Sequence, residues 1–321
     1  MRPQIVFLDE EGIAPSVKLK TLPFLHSWKS YSFTRPEQIV ERLHDADIVM
    51  TCSIALRAEH LSQLPKLKLI SLALTGTDSV DLDYCREHGI IVTNVPGYAA
   101  NTVTEHILAV MFELLRRPMC YHRLMQQLHK GEISPKGIYL DFRVRDVAGK
   151  TLGIIGNGTI AKHLAQRAAA LGMQLLIYDK YEKSTGNNVV SMPQLLAQSD
   201  VLSINVPLTD ETRGMIGAPE LSQMKTDALL INTARGGIVD EAALITALKN
   251  KKLGGAAIDV LVDEPVQATN PIFELIDQDN FILTPHMAWS SEEAMQRLID
   301  QAIDNISQFI AGERPRFSVT V

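Results

Sequence analysis

Short apolar runs recur along this chain with helix-like segments between them, and that rhythm constrains the fold more than any other feature. From Thr151 onward the runs are TLGIIG (151–156), QLLIYD (174–179), DVLSINV (200–206), ALLINT (228–233), GAAIDV (255–260) and NFILTP (280–285). Runs of this length without polar alternation fit strands covered on both faces. Between the first two, Ile160, Leu164, Ala168 and Leu171 recur at spacings of three and four, and Gly172 stands where a helix C-cap is expected. Between the fourth and fifth, VDEAALITALKNKKLGG offers Asp240 as an N-cap, Leu244, Ile245 and Leu248 on one face, and a lysine-rich last turn before glycine. Strand and helix in alternation predict a doubly wound parallel sheet.

The same grammar occurs earlier. QIVFLD (4–9), SYSF (30–33), DIVMTC (47–52), LKLISLAL (67–74) and GIIVTNV (89–95) alternate with helical stretches such as 36–43, which predicts a second, smaller α/β unit. NTVTEHILAVMFELLRR (101–117) carries Val103, Ile107, Val110, Met111 and Leu114 on one stripe and predicts a long helix. SSEEAMQRLIDQAIDNISQFIAG (290–312) opens on a capping-box pattern, Ser290 to Glu293. It places Met295, Leu298, Ile299, Ala302, Ile303, Ile306, Phe309 and Ile310 on one face before Gly312. So apolar a helix must dock, and a return to the N-terminal unit is the economical choice. The expectation is a discontinuous domain, 1–100 with 290–321, into which a nucleotide-binding domain, 101–289, is inserted.

Composition is consistent with this. A chain of 321 residues suffices for about two domains with separate cores. With 46% apolar and 21% charged residues it reads as globular and not as disordered. Its 31 basic and 37 acidic residues leave a charge of −6, which argues against a nucleic-acid footprint. Cys52, Cys85 and Cys120 form no C-x-x-C pair and have no histidine cluster nearby, so reduced structural thiols are expected and a metal site is not. The early run IVFLD is too brief for a signal h-region, and no apolar run nears the roughly 20 residues that cross a bilayer. These features predict a cytoplasmic protein with neither nucleic-acid nor membrane partners. Asn305-Ile-Ser307 has the form of a glycosylation acceptor, for which a cytosolic chain has no use.

The stretch GIIGNGTIA (153–161) contains Gly156-x-Gly158-x-x-Ala161 directly after an apolar run and at the start of a helical one. In that context it predicts a dinucleotide-binding turn. Gly156 permits the tight turn, and Gly158 lets the backbone approach a pyrophosphate at the positive end of the helix. Asp179 ends the next run, where an acidic side chain accepts hydrogen bonds from the adenosine ribose hydroxyls of NAD. A 2′-phosphate placed there would meet a like charge at a cost of about 1–4 kcal/mol at 4 Å. NAD is therefore expected over NADP, with Lys180 and Lys183 close enough to soften the discrimination.

In an open parallel sheet, ligands sit beyond the carboxyl ends of the strands. The last three runs deliver Arg235 in NTARGG, Asp259 and Glu264 in AIDVLVDEP, and His286 in TPHMAW. Taken singly, Arg235 reads as a surface charge, either carboxylate as a turn residue and His286 as a core histidine. Together, at successive strand ends beside a nucleotide turn, they read as a site. Their chemistry suits reduction of a 2-oxo acid, which needs a hydride at the carbonyl carbon and a proton at its oxygen. A guanidinium fork holds a carboxylate bidentately, and imidazole exchanges protons near neutral pH.

The combination of G-x-G-x-x-A, NTARGGIVDEAAL, AIDV with DEP, and TPHMAW resembles the D-isomer-specific 2-hydroxyacid dehydrogenases along essentially the whole chain. HMAWSSEEAMQRL is most similar to the hydroxypyruvate reductase (glycerate dehydrogenase) branch, and LTGTDSVDLDYCREHGIIVTNVPGY to the family's substrate-domain loop. The resemblance implies a Rossmann-type nucleotide domain inserted into a flavodoxin-like substrate domain. It implies Arg235, Glu264 and His286 as the catalytic set, with Arg235 on the substrate carboxylate and carbonyl, His286 as acid–base group and Glu264 as its partner. Cofactor contacts are implied at Gly156, Gly158, Thr159, Ile160, Asp179, Val206, Pro207, Thr233, Ala234, Arg235, Asp259 and His286. The amides of Thr75 and Gly76 would hold the carboxylate, and Trp289 would line the substrate side. Leu74 departs from the glycine many relatives carry.

The implied activity is NADH-dependent reduction of a small 2-oxo acid, with hydroxypyruvate first and glyoxylate second, in a homodimer joined through 101–117. D-lactate or another 2-hydroxy acid is the alternative substrate. A corepressor-like NAD(H)-sensing role is the alternative of another class. Formate-oxidising relatives carry Gln where this chain has Glu264. His106 and Glu105, on the long helix, read as packing or surface residues, and His163, just inside the fingerprint helix, as facing solvent.

Overall fold

Strands β1 (Gln4–Phe7), β2 (Ser27–Ser30), β3 (Ile48–Thr51), β4 (Leu69–Leu72) and β5 (Ile91–Thr93) pair in parallel in the order β2-β1-β3-β4-β5. That is the flavodoxin-like order. The computed structural model describes residues 2–180 and 188–320, and the chain divides into two units, Met1–Ala99 with Ser290–Val321, and Ala100–Trp289. Helices α1 (Ile39–Leu43), α2 (Ala58–Leu61) and α3 (Leu82–Glu87) connect strands of the first sheet. β3 and β4 are buried throughout, as the unbroken apolar runs require.

The second unit begins with α4 (Ala100–Arg116) and α5 (Pro118–His129). Its strands are β6 (Thr151–Ile155), β7 (Gln174–Tyr178), β8 (Val201–Ile204), β9 (Leu229–Asn232), β10 (Gly255–Ile258) and β11 (Phe281–Leu283). Between them run α6 (Thr159–Ala170), α7 (Met192–Gln198), α8 (Ala218–Gln223) and α9 (Glu241–Lys249). The sheet order is β11-β10-β9-β8-β6-β7, all parallel, and a bridge from Ile177 to Val189 extends it beyond β7. With that bridge counted as a strand, the order is the Rossmann one. Strand order reverses at β6, so the turn after β6 lies at the switch point. The Asp240 side chain caps α9 by accepting from the Ala243 N–H at 3.0 Å.

The last helix, α10 (Glu292–Ile310), belongs to the first unit, where it packs on β4. Its apolar face is buried, and two polar contacts fix its register. The buried Ser71 hydroxyl donates to the Ala302 carbonyl at 3.0 Å, and the Asn305 amide, itself buried, donates to the Asn94 carbonyl at 3.2 Å.

Two local expectations are corrected, and one further helix is found. The second strand is Ser27–Ser30 and not 30–33, because its partner β1 ends at Phe7, which pairs with Ser30. The cap of α10 is Ser291, not Ser290. Its hydroxyl accepts from the Ala294 N–H at 3.1 Å, so Glu293 falls one residue short of the capping-box position. Helix α5 was not anticipated: Arg117 turns left-handed (φ 59°), and Pro118 then starts a helix where proline reads in sequence as a stop.

Candidate active site

The turn between β6 and α6 is shaped to admit a phosphate. Gly156 lies at φ 99°, and a Cβ there would meet the Asn205 carbonyl oxygen at 2.5 Å, so only glycine lets the chain turn this close to the loop after β8. That loop carries Val206, whose side chain would stand 2.8 Å from the same Cβ. Around Gly158 the reverse holds. A Cβ there would meet nothing within 4 Å, leaving open space at the N-terminus of the twelve-residue α6. Thr159 and Ile160 form its first turn. A tight glycine followed by an open glycine at a helix N-terminus fits a dinucleotide pyrophosphate. Asp179 directly follows β7, and the adjacent Lys180 pairs with Glu211 at 2.8 Å. Lys183 lies outside the described residues.

At the carboxyl end of β9, the buried Asn232 pins the loop that follows. Its amide donates to the Arg235 carbonyl at 2.9 Å, and its oxygen accepts from the Ala234 N–H at 3.1 Å, which folds Thr233, Ala234 and Arg235 into a tight turn. A Cβ on Gly236 would stand 1.9 Å from the Leu261 carbonyl oxygen, so the β9 and β10 loops touch backbone to backbone. This close approach brings Arg235 toward Glu264.

Beyond β10, the Asp259 carboxylate is buried. It accepts from the Thr284 hydroxyl at 2.5 Å and from the Met287 and Ala288 N–H groups, both at 2.9 Å. The His286 N–H donates to the Asp259 carbonyl at 2.8 Å. Asp259 thus supports from behind the turn that presents His286, whose backbone is left-handed (φ 52°). On the ring side, His286 Nδ1 lies 2.6 Å from Glu264 Oε2, and Glu264 Oε1 accepts from the Leu261 N–H at 2.8 Å. An ionised carboxylate only accepts, so Nδ1 carries the hydrogen and Nε2 is left to exchange a proton. Burial pushes the Glu264 carboxyl up. The hydrogen bonds from His286 and Leu261, with the charges of His286 and Arg235, outweigh it and hold the group below the ordinary carboxylate value.

Residues 108–288 match the NAD binding domain of the D-isomer specific 2-hydroxyacid dehydrogenases. The chain belongs to that family. It is accordingly an NAD(H)-dependent oxidoreductase that interconverts 2-oxo acids and D-2-hydroxy acids. It is similar to the glycerate dehydrogenase of Methylorubrum extorquens, with 46% identity across 98% of both chains. The hydroxypyruvate reductase of Blautia hydrogenotrophica is 33% identical over 88% of this chain and 87% of its own. Among solved structures, the D-lactate dehydrogenase of Aquifex aeolicus, complexed with NAD and lactic acid, superposes with a TM-score of 0.82 at 31% identity over 99% of both chains.

Arg235, Asp259, Glu264 and His286 are thus gathered at the ends of β9, β10 and β11, while Thr75 and Gly76 lie in the first unit after β4. There Leu74 packs against the apolar core, the Thr75 hydroxyl donates to the Val95 carbonyl at 2.9 Å and Asn94 donates to the Thr75 carbonyl at 2.7 Å. Sequence reasoning missed Asn232 and Thr284, polar residues at the ends of apolar runs whose strand-end position was the available signal. Two histidines, on α4 and α6, also make specific contacts. His163 is half-buried and lies 3.0 Å from the side-chain oxygen of the exposed Asn101, where α6 packs against α4. His106 stands 3.5 Å from the Thr284 hydroxyl, and burial, opposed by the Asp259 charge, pushes its imidazole below the ordinary value.

Proposed function

We propose that this enzyme reduces hydroxypyruvate to D-glycerate, and glyoxylate to glycolate, with NADH, using Arg235, Glu264 and His286 as its catalytic set. The observation that carries the reading is the 2.6 Å contact between His286 Nδ1 and Glu264, with Arg235 near enough for its charge to act on that carboxylate. Similarity to a glycerate dehydrogenase and a hydroxypyruvate reductase supports the substrate class.

NADH, when bound, would supply the hydride. Arg235 holds the substrate carboxylate and orients its carbonyl, and His286 delivers a proton from Nε2 to the carbonyl oxygen as charge develops there. Glu264 keeps Nδ1 protonated and fixes the ring plane. In the same reading Gly156, Gly158, Thr159 and Ile160 hold the pyrophosphate, and Asp179 holds the adenosine ribose. Val206, Pro207, Thr233, Ala234 and the Asp259 region border the cofactor. A panel of 2-oxo acids with NADH and NADPH tests the proposal: hydroxypyruvate is expected to give the highest kcat/KM. Preference for pyruvate would favour the D-lactate reading, and absence of turnover would favour an NAD(H)-sensing binding protein.

We further infer a cytoplasmic homodimer. Cys52, Cys85 and Cys120 are free thiols, and among the described residues no helix is long and apolar enough to cross a membrane. Phe112 on α4, Met119 and Met125 on α5, and Ile138 and Leu140 beyond them are exposed apolar side chains within one stretch of the chain, of the kind that a second copy would cover. Light scattering in solution is expected to give twice 35.5 kDa, and a value near 35.5 kDa would refute it.

A further inference from the structure

His286 is held from two sides. Glu264 fixes its ring, but a ring is only as well placed as the backbone that bears it, and that backbone lies at φ 52°, where a residue with a Cβ is disfavoured. The surrounding structure must over-determine such a conformation. On the amide side, the His286 N–H donates to the Asp259 carbonyl at 2.8 Å and the Thr284 carbonyl at 3.0 Å. On the carbonyl side, the His286 oxygen accepts the indole N–H of Trp289 at 2.9 Å. Trp289 is partly buried, and the intervening Met287 and Ala288 amides are bound by the Asp259 carboxylate. The turn is thus closed at one end by a carboxylate and at the other by an indole.

We propose that Trp289 is a positioning residue for His286, acting through its indole N–H, and not chiefly a wall of the substrate pocket. An indole has a single N–H, and here it is directed at the His286 carbonyl. Losing it would free that carbonyl to rotate and let the backbone relax from the left-handed region, swinging Nε2 away from the position from which it protonates the substrate. Small displacements of a proton donor cost rate and leave ground-state binding intact. The signature is therefore a fall in kcat with little change in KM.

This rests on the reading of His286 as the acid–base group, so His286→Gln is measured alongside. For Trp289→Phe, which keeps an aromatic ring and removes the donor, kcat for hydroxypyruvate with NADH is expected to fall about tenfold. KM for hydroxypyruvate should stay within about twofold, and the solvent deuterium effect on kcat should rise as proton transfer becomes more rate-limiting. Replacing Trp289 with benzothienylalanine, in which sulfur stands for the N–H at nearly constant shape, should reproduce the loss even if the Phe variant folds poorly. A raised KM at unchanged kcat, or full activity of the benzothienyl variant, would overturn the proposal. If His286→Gln itself turned over normally, the site reading would fail instead, whatever Trp289 does.

Discussion

Glu264 is clasped between His286 Nδ1 at 2.6 Å and the Leu261 N–H at 2.8 Å, and both contacts favour its ionised form. Its folded-state pKa is depressed from 4.5 despite burial. A depressed carboxylate contributes stability that is present above its unfolded value and lost as pH falls through the folded one. The stability difference between wild type and Glu264→Gln should therefore be full above pH 4.5 and shrink below it. Melting temperatures of both proteins across this range check it. A constant difference down to strongly acid pH would show that the carboxylate's charge contributes nothing.

His286→Gln is expected to lower kcat by about 10²–10⁴ and to leave NADH affinity near wild type, since general acid catalysis of this kind has that worth. Fluorescence titration of NADH separates binding from chemistry. Equal loss of both would mean that the histidine chiefly holds the cofactor.

The buried Asp259 carboxylate serves the Thr284 hydroxyl and the Met287 and Ala288 amides together. Asp259→Ala leaves those donors without their acceptor and is expected to cost about 2–4 kcal/mol of stability. Denaturant unfolding measures it. A cost under about 0.5 kcal/mol would show that solvent replaces the carboxylate.

Much of the site was legible because a parallel sheet concentrates chemistry at strand ends: Arg235, Glu264 and His286 could be picked out once the runs before them were recognised. Part of what escaped depends on a partner distant in sequence, and part on local backbone geometry. The limit of β2 is set by Phe7, not by its own composition, and the edge strand SWKS alternates too much to resemble a buried run. The support given by Thr284 arises only when the ends of β10 and β11 lie side by side, whereas Asn232 acts within its own loop, on Ala234 and Arg235, through a turn that apolar patterning does not reveal. The choice of Ser291 over Ser290 is a matter of one residue's backbone, to which side-chain pattern is nearly blind.

Two glycines of the fingerprint are expected to fail in different ways. At Gly156 an alanine would drive its Cβ to 2.5 Å from a carbonyl oxygen at φ 99°, so Gly156→Ala should destabilise the protein even without ligand. At Gly158 an added Cβ meets nothing within 4 Å, so Gly158→Ala should melt like wild type and lose NADH affinity because the methyl occupies the phosphate's place. Thermal melts of the free proteins, paired with NADH titrations, distinguish them. A Gly158→Ala variant that binds NADH normally would move the pyrophosphate elsewhere.

Cofactor choice is expected to turn on Asp179. Its charge opposes a 2′-phosphate, and Lys180, which would favour one, is held by Glu211 at 2.8 Å. Asp179→Asn removes the repulsion and keeps a polar group for the ribose. A like-charge penalty of about 1–4 kcal/mol converts to a gain of about five- to several-hundred-fold in NADPH use relative to NADH. The ratio of kcat/KM for the two cofactors, measured at low and high salt, is the test. The gain should be larger at low salt, because exposed charges are screened. An unchanged ratio would show that neither the acid nor its neighbours read the 2′ position.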